Sequence, residues 1–435
     1  MGEGQIRMAY PLLHAYSGSH DDIFLQFTSC GEASMRVIVI GAGIVGCASA
    51  YQLQRSGHQV TLIDEQTEVG RVSSYANGAQ LSYSYVEPLA SPATLRALPG
   101  LLLARDSALR FTPRWDVQQW AWGMQFLAAC TRSQVESGTR QLLELAALSR
   151  RTLEAWMIEE QWAIKFARNG KLVLCRDEAT LQRQASQVAL QSKLGSEHEV
   201  LDAQQCAQRE PALAHIAGQY AGGIWTESEC VADPYLLCQQ LAQSFVRRGG
   251  ELALGQRVMS FDLHANRVQA VRTERGNLPC DAVVIAAGVA SPRLGRMLGI
   301  KLPIYPIKGY SITVPVIAPE KLARCSITDL GLKTVFAPLG NHLRVAAAAE
   351  VVGEDVQIDP KRIAQMLQAV NQLFPGACDL SAPQSWAGLR PATPNSLPII
   401  GKVEGKASNV FVNAGQGALG LTLAAGSAAK LASLM

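Results

Sequence analysis

The first patterned stretch, Met35–Ile40 (MRVIVI), has the length and β-branched content of a buried strand. A glycine loop follows. Ile44–Arg55 then has helical spacing, Gly57 closes it, and Val60–Ile63 reads as a second strand. The pattern therefore predicts a β-α-β unit. Residues 71–92 are rich in Ser, Gly, Asn and Pro and read as a loop. From residue 93 to 200 the spacing is mostly helical, most clearly over Ser137–Gln161. Asp233-Pro234 is an N-cap with proline at the first helical position, leading a helix to Arg248 that Gly249-Gly250 stops. Short alternating strands are predicted at Glu251–Leu254, Val258–Leu263 and Val268–Thr273. A buried strand at Asp281–Ala286 is ended by Gly288. Segments 302–315 and 333–350 read as strands, 360–373 as a helix and 398–412 as extended chain. Gly415–Gly420 leads into a helix of small residues. Helix and strand alternate at both ends around a mixed middle. This predicts an α/β nucleotide-binding domain assembled from separated pieces, with a second domain inserted.

Composition narrows the class. The chain has 435 residues, 48% hydrophobic and 17% charged. The charged share is below the roughly 25% typical of soluble domains, so disorder is excluded and much of the chain is buried. The net charge of +3, without a Lys/Arg run, gives no reason to expect nucleic acid. Ten cysteines contain no CxxC pair, which predicts a reduced, intracellular protein without a metal site. No glycine-free apolar stretch reaches the ~18 residues of a membrane span. Residues 1–34 hold one basic residue, Arg7, against four acidic ones. That suits neither a transit peptide nor a secretory signal. They are expected to be a disordered leader, with Met35 the natural start.

Gly41-Ala42-Gly43-Ile44-Val45-Gly46 is GxGxxG in its required context, after a strand and opening a helix. Gly41 permits the tight turn, Gly43 the approach of a pyrophosphate to the helix N-terminus, and Gly46 close helix–strand packing. Asp64 ends the second strand, 23 residues after Gly41, where a carboxylate can accept from ribose hydroxyls; Glu65 is the second choice. An acid here disfavours a 2′-phosphate. FAD is favoured over NAD by the late strand-then-glycine element ending in Ala287 and Gly288, and by the turn Gly415-Gln416-Gly417-Ala418-Leu419-Gly420. Two helix N-termini can then address one large cofactor, and the second can stabilise negative charge near flavin O2 and N1.

From residue 35 to the end the chain resembles the FAD-dependent D-amino acid dehydrogenases of small-subunit type, within the glycine oxidase and sarcosine oxidase group. The resemblance rests on RVIVIGAGIVGCASAYQL (36–53), SSYANGAQLS (73–82), IYPIKGYSI (304–312), AEVVG (349–353), GLRPATPNSLPIIG (388–401) and NAGQGALGLTLAAGS (413–427). It implies a Rossmann-like, glutathione-reductase-like FAD-binding domain from residues 35–92, 216–300 and 386–435. Residues 93–215 and 301–385 would form an α+β substrate domain on a mixed or antiparallel sheet. Ser73, Ser74, Asn77, Gly78 and Gln80 would line the pyrophosphate and flavin side, and the Val258 backbone would meet adenine. Gly388, Arg390 and Gly415–Leu419 would surround the flavin ring. Arg390 suits the substrate carboxylate, because a guanidinium fork binds it bidentately where lysine cannot. Tyr310 would add a hydroxyl or be a core tyrosine. Lys308 would sit near flavin N5 or be solvated.

The implied activity is oxidative deamination of D-amino acids to 2-oxo acids and ammonia by hydride transfer to flavin N5, with electrons passed to a quinone-type acceptor. Two alternatives stay open. One is an oxygen-using oxidase of glycine, sarcosine, D-proline or hydroxyproline. The other is an FAD-binding subunit of a larger dehydrogenase. Residues 379–435 contain neither Cys nor His, so the FAD is expected to be non-covalent. The expected location is cytoplasmic, with peripheral inner-membrane contact and homo- or hetero-oligomers left open. Trp115, Trp120, Trp122 and Phe126 would form a core or pocket wall, or a membrane or partner contact. Two departures stand out. Gln416 replaces a histidine common in relatives, and Arg344-Val345-Ala346-Ala347-Ala348-Ala349-Glu350 stands where relatives commonly show RVGGMAE, the added methyls narrowing a pocket if this strand lines one.

Overall fold

The computed structural model describes residues 34–86, 88–96 and 109–435. The expected leader lies outside these apart from Ser34. Its first strand, Arg36–Ile40, is central in a six-stranded sheet ordered 399–402, 410–414, 282–285, 36–40, 59–64, 251–254. All neighbours are parallel except Ile399–Lys402, which runs antiparallel to Val410–Ala414. Period-two alternation explains why these strands are apolar throughout. Val37, Val39, Val60 and Leu62 face a layer of helices that includes Ile44–Arg55, Arg132–Glu160, Pro234–Arg247 and Gly420–Ala432. Ile38, Ile40 and Ile63 face the opposite side, with Val258, Val268 and Val271 of a three-stranded antiparallel sheet. Strand order reverses on either side of Arg36–Ile40, so its carboxyl end is a topological switch point, where α/β sheets open a crevice.

The second sheet has nine strands. Its order is 384–392, 305–315, 342–351, 334–339, 326–329, 171–175, 222–226, 199–202, with Leu109–Phe111 added beside 342–351. It is mostly antiparallel, with parallel pairs at 326–329/171–175 and 342–351/109–111. One face packs Ile312, Val314, Phe336 and Val345 against Met366, Val370 and Leu373 of the helix Pro360–Leu373. The strands Gly222–Thr226 and Gln384–Ala392 belong to this sheet. They lie in chain regions that the sequence reading gave to the nucleotide-binding half, because ladder pairing rather than sequence proximity decides membership. Lys171–Cys175 is a strand inside the stretch read as mostly helical, and the helix begun at Ser137 starts at Arg132. Asp233 caps its helix as predicted, accepting from the amides of Tyr235 and Leu236 at 3.0 and 3.2 Å. Among the described residues all nine cysteines are free and buried, and no helix is long and apolar enough to cross a membrane.

Candidate active site

A cavity of about 650 Å³ runs from the glycine loop at the switch point to the face of the second sheet. Gly41 has φ +109°, and a Cβ there would lie 2.6 Å from the carbonyl oxygen of Ala286, so only glycine fits. A Cβ on Gly46 would lie 1.7 Å from the Gly41 carbonyl oxygen; this glycine packs the helix and does not itself line the cavity. Ala42, Gly43, Ile44 and Val45 line it, and no acid occupies the first turn of the helix they open. Asp64 lines the same end, but its oxygens already accept the amides of Ala42 (2.6 Å) and Gln66 (2.8 Å). Burial raises the Asp64 pKa, and these two bonds oppose the rise. Asp64 thus holds the loop as well as facing any ribose. Glu65, paired with Arg257 at 3.1 Å, stands beside it, and Val258, Ala287 and Gly288 complete this end.

From here residues 73–82 cross the second sheet as a strap stitched down along its length. Ser73 Oγ donates to the Leu389 carbonyl (2.6 Å), and Ser74 Oγ accepts from the Ile44 amide (3.0 Å). Ser311 Oγ donates to the Ala76 carbonyl (2.5 Å), and Arg344 Nη1 to the Asn77 carbonyl (2.9 Å). Gln80 Nε2 donates to Ser326 Oγ, and the Ser82 amide to Thr422 Oγ1 (3.0 Å). Ser73, Ser74, Asn77, Gly78 and Gln80 all line the cavity. So do Gln416, Gly417, Ala418 and Leu419. Gly415 does not line it; its φ of +88° and a would-be Cβ 2.6 Å from Thr393 Cγ2 make it the hinge of that turn. Gln416 is buried, and its amide donates to Asn413 Oδ1 (2.7 Å), so this position carries no titrating group.

Arg390 lies across the cavity face of the sheet. Its guanidinium passes over Gly309, where an added Cβ would stand 2.4 Å from Nη2, and Nη1 donates to the Ala348 carbonyl at 2.9 Å. It forms no ion pair with a described carboxylate, and desolvation lowers its pKa from the ordinary arginine value. Gly388 keeps the wall open, since a Cβ there would meet the Trp386 ring at 2.1 Å.

Tyr310 takes the core alternative of the expectation, whereas Lys308 is neither solvated nor in the cavity lining. Side chains alternate across a strand, so Gly309, beneath Arg390, and Ser311, bonded to the strap at Ala76, share one face, while Tyr310 and Ile312 pack into the core on the other. The Tyr310 hydroxyl donates to Glu350 Oε2 (3.0 Å), which is itself held by Arg362; burial and that carboxylate raise the Tyr310 pKa. Tyr310 also borders the cavity. Lys308 does not line it, and its ammonium pairs with Asp355 at 3.0 Å and donates to the Gln357 carbonyl. The alanines at 346–349 do line the cavity. The tryptophan group divides. Trp122 and Phe126 are stacked and buried, with Trp122 Nε1 donating to the Ala392 carbonyl (2.8 Å), whereas Trp115 and Trp120 are exposed. Sequence reasoning missed Gly309, Arg344, Tyr85 and Lys171, of which all but Arg344 line the cavity. A lysine opening the apolar run KLVLC was the available signal for the last.

Residues 36–434 match the family model described as FAD dependent oxidoreductase. The chain belongs to this family. It is 42% identical over 413 residues to "D-amino acid dehydrogenase 2" of Ralstonia nicotianae, covering 92% of this chain and 96% of that one. It is 42% identical over 401 residues to "D-amino acid dehydrogenase 2" of Pseudomonas aeruginosa, covering 92% and 94%. Among solved structures, glycine oxidase from Geobacillus kaustophilus superimposes with a TM-score of 0.73 at 21% identity, over 92% of this chain and 95% of that one. This FAD dependent oxidoreductase fits its cofactor on its own geometry. Gly41 and Gly46 admit no side chain, the acids lining the cavity, Asp64, Glu65 and Glu68, cluster at the loop end, and two helix N-termini open into one cavity. Among the described residues neither cysteine nor histidine lines that cavity, and no cluster suits a metal ion.

Proposed function

We propose that the chain oxidatively deaminates D-amino acids to 2-oxo acids and ammonia, passing electrons from FAD to a quinone-type acceptor. The observation that carries this reading is Arg390: a guanidinium fork in the cavity wall, without an ion pair among the described residues and oriented by the Ala348 carbonyl. The D-amino acid dehydrogenase relatives at 42% identity supply the substrate class and its hand.

The glycine loop, Asp64, Glu65 and the 73–82 strap would hold the cofactor. Bound FAD supplies the two-electron acceptor for the C–N bond's oxidation. Arg390 binds the substrate carboxylate and fixes the Cα–H direction. The alanines at 346–349 and Trp386 displace water, and desolvation favours the neutral amine that oxidation requires. No side-chain base is needed. The exposed face of the helix Val117–Ala129, with Val117, Trp120, Met124 and Leu127 outward beside Trp115 and no charged residue in the helix, supports peripheral contact with a membrane.

Anaerobic addition of D- and L-amino acids to the holoenzyme tests the reading. Bleaching of the flavin by D-enantiomers is expected, and Arg390→Leu should raise the substrate Kd by ~100-fold or more. Bleaching by no amino acid would overturn it, and stoichiometric peroxide under air would replace the quinone by oxygen.

A further inference from the structure

Lys171 has no part in the chemistry described so far, yet it is 5% exposed and lines the cavity. It shares a sheet face with Arg390. In the parallel ladder Lys171 pairs with Ser326, whose hydroxyl receives Gln80 of the strap. Its neighbours Leu172 and Leu174 point to the opposite, core side. Arg390 and Lys171 stand on strands five steps apart, ~24 Å at the usual spacing. That is too far for one amino acid to touch both backbones' side-chain roots. Lys171 therefore addresses a different part of the cavity contents.

Its surroundings say which. Nζ donates to Ser82 Oγ at 3.1 Å and lies 4.8 Å from the centre of the Tyr85 ring. The Ser82 amide donates to Thr422 Oγ1, in the first turn of Gly420–Ala432. That turn carries no acidic residue, and Leu419, Gly420, Leu421 and Thr422 line the cavity. A buried ammonium and the positive end of a helix dipole thus converge on one pole. Glu229 sits behind Lys171, outside the cavity lining, with Oε1 accepting the amides of Ser84 (2.7 Å) and Tyr85 (3.2 Å). Burial lowers the Lys171 pKa, and Glu229 opposes that fall. Among the described residues no carboxylate forms an ion pair with Lys171; Lys171 and its partner Ser82 line the cavity, and the buried Glu229 does not.

We propose that Lys171 is an electrostatic residue of the cofactor site, stabilising with the Gly420 helix terminus the negative charge that reduction places on the pyrimidine end of FAD. This rests on FAD occupying the cavity, and it assigns to a strand of the second sheet a role the glycine motifs do not contain.

Sulfite binding tests it without turnover, because the adduct puts the same negative charge on the flavin. The purified holoenzyme and the variants Lys171→Met, Lys171→Gln and Lys171→Arg would be titrated with sulfite, and their two-electron potentials measured. Methionine and glutamine should each weaken sulfite by ~10-fold or more and lower the potential by ~30 mV or more, since tenfold corresponds to that shift for two electrons. Arginine should retain most of the wild-type affinity. Glutamine preserves a donor toward Ser82, so it separates charge from mere support and serves if the methionine variant does not fold. Wild-type sulfite affinity in the glutamine or methionine variant would overturn the proposal, as would arginine as impaired as methionine. A protein purified without bound or bindable FAD would instead refute the cofactor assignment beneath it.

Discussion

Gly309→Ala is the sharpest test of the substrate anchor. Gly309 has ordinary negative-φ strand geometry, so alanine is tolerated by the backbone. Its new methyl would stand 2.4 Å from Arg390 Nη2 and 2.6 Å from Cζ. Normal contact between such atoms is ~3.5–4 Å, so something must move by more than 1 Å. Strand 305–315 is held on both sides by antiparallel ladders, whereas the guanidinium is the end of a flexible side chain. The arginine yields, and its 2.9 Å bond to the Ala348 carbonyl is lost. A displacement of ~1 Å at a positioning group costs up to ~100-fold in rate, or ~2.7 kcal/mol of transition-state stabilisation. Anaerobic stopped-flow reduction by a D-amino acid should show that loss, with flavin content unchanged and a near-wild-type melting temperature. Reduction at the wild-type rate and affinity would refute the assignment, because the guanidinium could not then be reading the carboxylate from this position.

Two other outcomes follow from different parts of the molecule. Glu160 ties three helices together, accepting from Tyr51 Oη (2.8 Å), Ser244 Oγ (2.7 Å) and the guanidinium groups of Arg247 and Arg248. Burial pushes its pKa up, but bonds from Ser244, Arg248 and Tyr51 outweigh burial and hold it at about 2, against an ordinary 4.5. A folded-state pKa below the unfolded one gives stability that is present above the unfolded value and lost as pH falls toward the folded one. Screening of the exposed Arg247 and Arg248 reduces the effect, so wild type should lose ~1–2 kcal/mol from this group between about pH 4.5 and 2, a slope absent in Glu160→Gln; equal slopes in acid titrations would count against it. Replacing both Trp120 and Met124 by glutamate should reduce co-sedimentation with anionic lipid vesicles several-fold without changing flavin reduction, and unchanged sedimentation would remove that helix from any membrane contact.

The nucleotide end was legible because its constraints are local. A glycine with positive φ, a helix N-terminus and an acid at a strand end are all written within 24 consecutive residues, Gly41 to Asp64. The capping aspartate at 233 was legible for the same reason. The substrate end depends on ladder register, and register joins residues far apart in sequence. Arg390 was found because a Gly/Pro-bounded motif surrounds it. Lys308 and Tyr310, in an equally suggestive motif, face the core because they fall on the other parity of their strand. Lys171 was missed for the converse reason: its short strand lies in a helical region, and its cavity neighbours come from residues 82, 85 and 422. Gly309 matters only because Arg390 lies across it, a contact between residues 81 positions apart.

The pairing that hides these residues also aims the key one. Lys308 pairs with Glu350, but Tyr310 pairs with Ala347, so strand 342–351 carries an extra residue across from Gly309. The bulge places Ala348 at φ +65°, a left-handed conformation that costs a non-glycine residue roughly 1 kcal/mol. Within this bulge the Ala348 carbonyl accepts Arg390 Nη1 at 2.9 Å. The same irregularity leaves Glu350 in step to receive Tyr310 and Arg362 on the core face. One extra residue therefore separates two tasks on adjacent positions. The core-facing side chains lock the strand in place, and the cavity-facing backbone holds the guanidinium where a carboxylate can meet it. Under the proposed role of Arg390, the strained alanine contributes by holding the guanidinium in one direction, as an anchor that fixes a Cα–H bond toward the cofactor would need.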